Sequence, residues 1–161
     1  MQIYLKDYDN DFVKSKILEI ARQLYSDNFR PDYIVALTRG GLIPGVMLSH
    51  YLDVTLHALN KEESNLWMAE EAFGYDCNRK NILIIDDIND TGKTFINLVK
   101  DWQSSCLPND VDVWNSVWHN NVKFASLIHN EASEFESDFS GHTINKRENP
   151  EWCVFPWESF W

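Results

Sequence analysis

The run Asn81-Ile82-Leu83-Ile84-Ile85 constrains this chain more than any other segment. Four large apolar residues in succession leave a strand no face to offer water. Such a strand must be covered on both sides, as happens inside a parallel sheet wrapped by helices. The neighbouring patterns agree. Residues 9–28 set Phe12, Val13, Ile17, Ile20, Ala21, Leu24 and Tyr25 at helical spacing, with Asp9 or Asn10 available as N-cap. Tyr33–Leu37 is a short apolar run ending in Thr38-Arg39-Gly40-Gly41, after which Pro44 is suited to open a helix reaching about Tyr51. Val54–Leu59 and Val122–Ile128 read as strands, and Phe95, Ile96, Leu98, Val99 and Trp102 mark a helix that begins within residues 90–94. Residues 60–80 are polar and lack a clear period, so a long loop or flap is expected there; residues 108–121 give no firm pattern. The alternation of strand and helix signals predicts an α/β fold with a mostly parallel twisted sheet flanked by helices.

At 161 residues the chain can bury one substantial core and is too short for two ordinary domains, so one domain spanning 1–161 is expected. No stretch approaches the roughly 18–20 uninterrupted apolar residues of a membrane helix, and the N-terminal residues lack an apolar signal core; no membrane partner and a cytoplasmic location follow as expectations. Cys77, Cys106 and Cys153 are odd in number and widely spaced, which fits reduced thiols, and the five histidines never fall into metal-ligand spacing. Net charge is −11, and residues 101–161 hold 10 acidic against 3 basic side chains. That surface repels polyphosphate backbones and argues against a nucleic-acid partner, whereas a small anion needs only a few oriented N–H groups and one or two cations.

Such groups occur together in Ile84-Ile85-Asp86-Asp87-Ile88-Asn89-Asp90-Thr91-Gly92-Lys93-Thr94. From Asp90 through Thr91, Gly92 and Lys93 to Thr94, successive backbone amides, two hydroxyls and a helix N-terminus suit a terminal phosphate monoester. Asp86 and Asp87 would repel that phosphate at close range but can accept hydrogen bonds from sugar hydroxyls or from the waters of Mg²⁺. A Walker A loop is absent, since Lys93 follows a single glycine.

This segment closely resembles the phosphoribosyl pyrophosphate signature of the type I phosphoribosyltransferases. Thr38-Arg39-Gly40-Gly41, within Ala36–Gly45, is similar to that family's pyrophosphate loop, notably in its xanthine–guanine branch, where a non-proline cis peptide is common; the Thr38–Arg39 bond is its expected place. Glu151–Glu158 resembles the purine-binding end of the 6-oxopurine transferases, with Trp152 stacking on the base and the Cys153 backbone meeting its edge. At Phe124–Asn130 the chain departs from the pattern: Asn130 stands where the resemblance expects a lysine that donates to the purine O6, and His129 is a second candidate donor.

The resemblance implies a Mg²⁺-dependent transfer from phosphoribosyl pyrophosphate to a nucleobase, with a 6-oxopurine expected. Asp90 would be the general base and Arg39 the pyrophosphate donor, with Asp86 and Asp87 at the ribose and, indirectly through substrate, at the metal. Residues 60–80 would form a mobile hood, residues 129–161 a base-reading segment, and the chain a dimer or tetramer. A regulator of the same fold that binds phosphoribosyl pyrophosphate or nucleic acid, and a transferase for a pyrimidine, are the alternatives.

Overall fold

The computed structural model describes residues 2–60, 65–74, 78–106 and 111–158. Five strands, β2 (Tyr33–Leu37), β3 (Thr55–Leu59), β4 (Ile82–Asn89), β5 (Val122–Asn130) and β6 (Phe139–Ile144), form a wholly parallel sheet in the order β3-β2-β4-β5-β6. A separate parallel pair joins β1 (Tyr4–Asp7) to β7 (Glu151–Val154), tying the two ends of the described chain together.

Alternation along the strands explains the two-sided burial. Ile34 and Ala36 of β2, Leu83 and Ile85 of β4, and Ala125 and Leu127 of β5 enter one core with α1 (Asn10–Ser26) and α2 (Leu42–Leu52). Their neighbours Tyr33, Val35 and Leu37, Ile82 and Ile84, Val122 and Phe124 enter a second core with α3 (Leu66–Phe73) and α4 (Lys93–Ser105). Trp114, from the one-turn helix α5 (Val111–Asn115), joins that second core. Helix α1 is capped as the sequence indicates, its Asp9 carboxylate accepting from the Phe12 amide at 2.7 Å.

The structure corrects several sequence-based boundaries. Residues 66–73, expected to be part of an irregular loop, are helical, because Met68, Ala69 and Ala72 bury one stripe against the second core. Helix α2 starts at Leu42 rather than at Pro44, which lies within its first turn, where a missing N–H leaves no helical carbonyl unpaired. Strand β4 continues past Ile85 to Asn89, so Asp86 and Asp87 are strand residues and not part of the turn beyond it. Strand β5 likewise reaches Asn130.

The link between β5 and β6 is unusual. Parallel neighbours are ordinarily joined through a helix of a dozen or more residues, yet residues 131–138 return along the sheet in eight residues without one. Their reach of roughly 26 Å extended is enough to retrace the paired length of β5. Phe135 in this return packs on Phe124 and Phe95, with ring centroids 4.7 and 5.4 Å away. Asp138 accepts from the Phe124 amide at 2.8 Å.

Phe124 is therefore a junction of β5, α4 and the return segment, with no exposed surface. Phe124→Ala is expected to cost about 3–5 kcal/mol in urea denaturation, while Tyr25→Ala, at a side chain 83% exposed, should change stability by less than about 0.5 kcal/mol.

Candidate active site

The strand order reverses direction between β2 and β4: the chain proceeds from β2 outward to β3, and from β4 outward to β5 and β6 on the other side. Helices leaving the two central strands diverge at such a switch point and open a crevice at the strand carboxyl ends. Both motif segments lie there, Thr38–Gly41 after β2 and Asp86–Thr94 at and after the end of β4.

The two segments touch. A Cβ at Gly40 would overlap the Asp87 carboxylate, and one at Gly41 would lie 2.5 Å from the Ile85 carbonyl oxygen and 2.8 Å from that of Leu37. Glycine at both positions is thus what allows this turn to close onto β4. The Thr38–Arg39 peptide is cis, at the bond the resemblance singled out, and Arg39 is exposed at the rim.

Asp86 and Asp87 are held by backbone. The Asp86 carboxylate accepts from the Asp87 amide at 2.9 Å, and the Asp87 carboxylate from the Ile88 amide at 2.8 Å. Burial nonetheless pushes the Asp87 carboxyl above the usual carboxylate range, and the charge of Glu158 adds to the effect. Two oxygen-donor carboxylates, one of them poorly solvated, suit a hard divalent cation shared with a substrate. No larger cluster of His, Cys, Asp and Glu side chains suited to a metal occurs among the described residues.

Residues 86–95 line a cavity of about 200 Å³. Its floor is the turn into α4, where Gly92 has a left-handed φ of 90° and serves as N-cap without a side-chain cap. A Cβ at Gly92 would meet the Phe135 nitrogen at 2.8 Å and the Ser133 hydroxyl at 2.9 Å. Space and φ both demand glycine. The Thr91 carbonyl accepts from the Glu134 amide at 3.0 Å, and the Thr91 hydroxyl from the Lys93 amide at 3.3 Å. The first-turn amides of α4 have no helical carbonyl to bond and, with the helix dipole, favour an anion in the cavity.

Asn130 and His129 occupy very different surroundings. The Asn130 amide nitrogen donates to the carbonyl of Asp90 at 3.0 Å and to its carboxylate at 3.1 Å, while its oxygen accepts from the amides of Ala132 and Lys146 at 3.2 and 3.1 Å. His129 is buried, with Nδ1 3.2 Å from the Asn89 amide nitrogen and Nε2 3.5 Å from Glu136. Its ring is engaged in holding the return segment to β4. Asn89 extends that bracket, donating to the Phe135 carbonyl at 2.6 Å and accepting from the Ser133 hydroxyl at 2.9 Å.

Trp152 is 60% exposed and so does not seal the core; Phe155 and Trp157, stacked at 4.8 Å, do that instead. Strand β7 is anchored by Tyr8, whose hydroxyl donates to Glu151 at 2.7 Å. The Cys153 thiol is buried and pushed up to about 11 by desolvation, so it is protonated at neutral pH and only the backbone at that position offers ordinary hydrogen-bonding groups. Cys106 is also buried, and Cys77 lies outside the described residues.

One residue of this site has no counterpart in the sequence reading. Lys146, between β6 and β7, places Nζ 3.0 Å from the second Asp90 carboxylate oxygen and 6.0 Å from the centroid of the Trp152 ring. A signal existed: Lys123, Lys146 and Arg147 are the three basic residues of the acidic stretch 101–161.

Comparison with known proteins agrees with this fold. The phosphoribosyl transferase domain family matches residues 8–159. Hypoxanthine-guanine phosphoribosyltransferase of Saccharomyces cerevisiae is 24% identical over 169 residues, covering 82% of this chain and 76% of the relative. Among solved structures, the purine phosphoribosyltransferase of Pyrococcus horikoshii superposes with a TM-score of 0.68 at 24% identity, covering 98% and 96% of the two chains. The xanthine-guanine-hypoxanthine phosphoribosyltransferase of Helicobacter pylori does so with a TM-score of 0.70 at 21% identity, covering 97% and 95%. With residues 8–159 of its 161 matched, this chain belongs to the phosphoribosyl transferase domain family and is a phosphoribosyltransferase.

Proposed function

We propose that this enzyme transfers the phosphoribosyl group of phosphoribosyl pyrophosphate to a ring nitrogen of a 6-oxopurine, releasing pyrophosphate. The observation that carries the reading is the cavity lined by residues 86–95, which joins a phosphate-sized helix N-terminus to a pair of carboxylates. The 5′-phosphate would take the amides and hydroxyls of Asp90–Thr94, including Lys93 and the Gly92 turn, and the ribose hydroxyls would face Asp86 and Asp87. Pyrophosphate would lie against Thr38, Arg39 and the Gly40-Gly41 backbone, whose donors face the oxygens on which negative charge grows as the anomeric bond breaks.

Asp86 and Asp87 would share Mg²⁺ with the substrate. When bound, the cation neutralises charge on the pyrophosphate leaving group. Its presence also resolves an electrostatic conflict, since a polyanionic substrate must approach two carboxylates in a chain of net charge −11. The base would stack on the exposed Trp152 face, with the Cys153 backbone at its edge. Asp90, at the mouth of the same cavity, would receive or share the proton of the purine imidazole nitrogen as the other ring nitrogen attacks.

The relatives support a purine acceptor: the Saccharomyces cerevisiae enzyme is named for hypoxanthine and guanine, and the Helicobacter pylori enzyme for xanthine, guanine and hypoxanthine. Residues 60–80, including α3, would act as the hood that keeps water from the activated ribose. No helix among the described residues is long and apolar enough to cross a membrane, in keeping with a cytoplasmic enzyme. A homodimer or tetramer is the assembly proposed.

Asp90→Asn is expected to lower kcat for nucleotide formation by about 100-fold or more, scored by chromatography of the product; wild-type turnover would remove Asp90 from the base role. Chelation with EDTA should abolish transfer, and added Mg²⁺ should restore it. Asp87→Asn tests the buried carboxyl. Because its raised pKa means the folded chain holds that proton more firmly than the unfolded chain, the stability associated with protonation is present at low pH and is lost as pH rises through the folded value. The asparagine variant should therefore melt roughly 2–5 °C above wild type at about pH 8, with the gap closing as pH falls toward the ordinary carboxylate range. A variant that melts lower at every pH would contradict this account.

A further inference from the structure

The position expected to carry the lysine that reads the purine O6 is Asn130, and its side chain is fully committed elsewhere. Both amide hydrogens are used on Asp90, and the amide oxygen accepts two backbone N–H groups. Reading a base with Asn130 would mean breaking that bracket. His129 is buried, with Nδ1 accepting from the Asn89 amide and Nε2 3.5 Å from the exposed Glu136 carboxylate. Some other donor must supply the contact if an oxo group is to be read.

We propose that Lys146, delivered from the connection between β6 and β7, is the specificity-determining donor for the oxo group of the purine. This rests on the purine-transfer reading above. Three observations carry it. Nζ of Lys146 lies 3.0 Å from Asp90 Oδ2 and 6.0 Å from the centroid of the Trp152 ring, so the ammonium stands beside both the proposed base and the stacking face. The Lys146 side chain retains only 19% of its exposure, which withdraws much of the competing water from this contact. Its backbone amide is pinned by the Asn130 oxygen at 3.1 Å, so the residue standing in the usual lysine position holds the lysine that replaces it.

The chemistry of the base explains why a carboxylate and an ammonium should be adjacent. On one edge of a 6-oxopurine the imidazole N7 and the exocyclic O6 are neighbours, whereas a 6-aminopurine presents an N–H donor in place of O6. Asp90 opposite the N7–H and Lys146 opposite O6 complement the oxo edge as a pair. Against the amino edge the ammonium would face another donor, and a polar group in a partly desolvated site without its partner is strongly disfavoured. In the empty enzyme the two side chains neutralise one another, and the base edge exchanges that pairing for contacts to itself.

The test is steady-state kinetics with hypoxanthine and adenine as acceptors, for wild type, Lys146→Met and Lys146→Gln, together with calorimetry of phosphoribosyl pyrophosphate binding and thermal melts. For Lys146→Met, kcat/KM with hypoxanthine should fall about 100-fold, its preference over adenine should fall by at least about 30-fold, and phosphoribosyl pyrophosphate affinity should stay within about twofold. Lys146→Gln, which keeps a neutral donor, should fall between the two. A lysine that merely positioned Asp90 would slow both bases in proportion, so an unchanged hypoxanthine-to-adenine ratio overturns the assignment. A wild-type enzyme active on hypoxanthine with Lys146→Met equally active overturns the assignment alone. A wild-type enzyme that converts no purine overturns the proposed acceptor class, and this assignment with it.

Discussion

The parallel pairing of β2 with β4 is the constraint on which the site depends. Because Ala36 pairs with Ile85, the turn after β2 and the acidic end of β4 emerge side by side at the point where the sheet reverses its order. No side chain can intervene: glycine at 40 and 41 lets the first turn rest on Asp87 and on the Ile85 carbonyl. A glycine turn and a cation-suited carboxylate pair are thereby brought into contact, the arrangement on which the proposed binding of a phosphorylated sugar with a charged leaving group rests. Neither segment alone has that property.

A second set of contacts holds the turn into α4 in shape from behind. Gly92 closes onto the return segment 131–138, and buried polar side chains lock that segment to β4 through Asn89, His129 and Ser133. Asn130 continues the bracket to Asp90 and Lys146. The short β5–β6 link is thus a buttress for the cavity floor, and its cost in buried polar groups is met by hydrogen bonds among them. Asp87 stands apart from this pattern, since burial leaves its charge poorly solvated.

Much of this was legible in the sequence because it rests on local signals. The NILII run implied two-sided burial, the acidic segment and Asp90-Thr91-Gly92-Lys93-Thr94 pointed to one place where the structure has a cavity, and the Thr38–Arg39 bond is cis where the family resemblance pointed. Helix α3 escaped notice because it is only eight residues long and sits in an otherwise polar segment, so its face is defined only by the core it meets. Strands β1 and β7 are short, and the burial of β6 and β7 does not follow a clean alternation that periodicity could reveal. Asn130 read as a departure from a lysine position, but its four hydrogen bonds are made by residues from 90 to 146, a span no local pattern reports. The sequence marked Lys146 only as one of three basic residues in an acidic stretch; its meaning comes from Asp90 and Trp152, which only the fold brings near.

The central claim is that the turn at the start of α4 grips a sugar phosphate. The most direct measurement is a titration of ¹⁵N-labelled enzyme with ribose 5-phosphate, followed amide by amide in NMR spectra. The account predicts that the largest saturable shifts fall on the amides of Thr91–Phe95, with smaller ones at Asp86 and Asp87. Saturable binding that leaves those amides unmoved, or shifts confined to another part of the sheet, would contradict it.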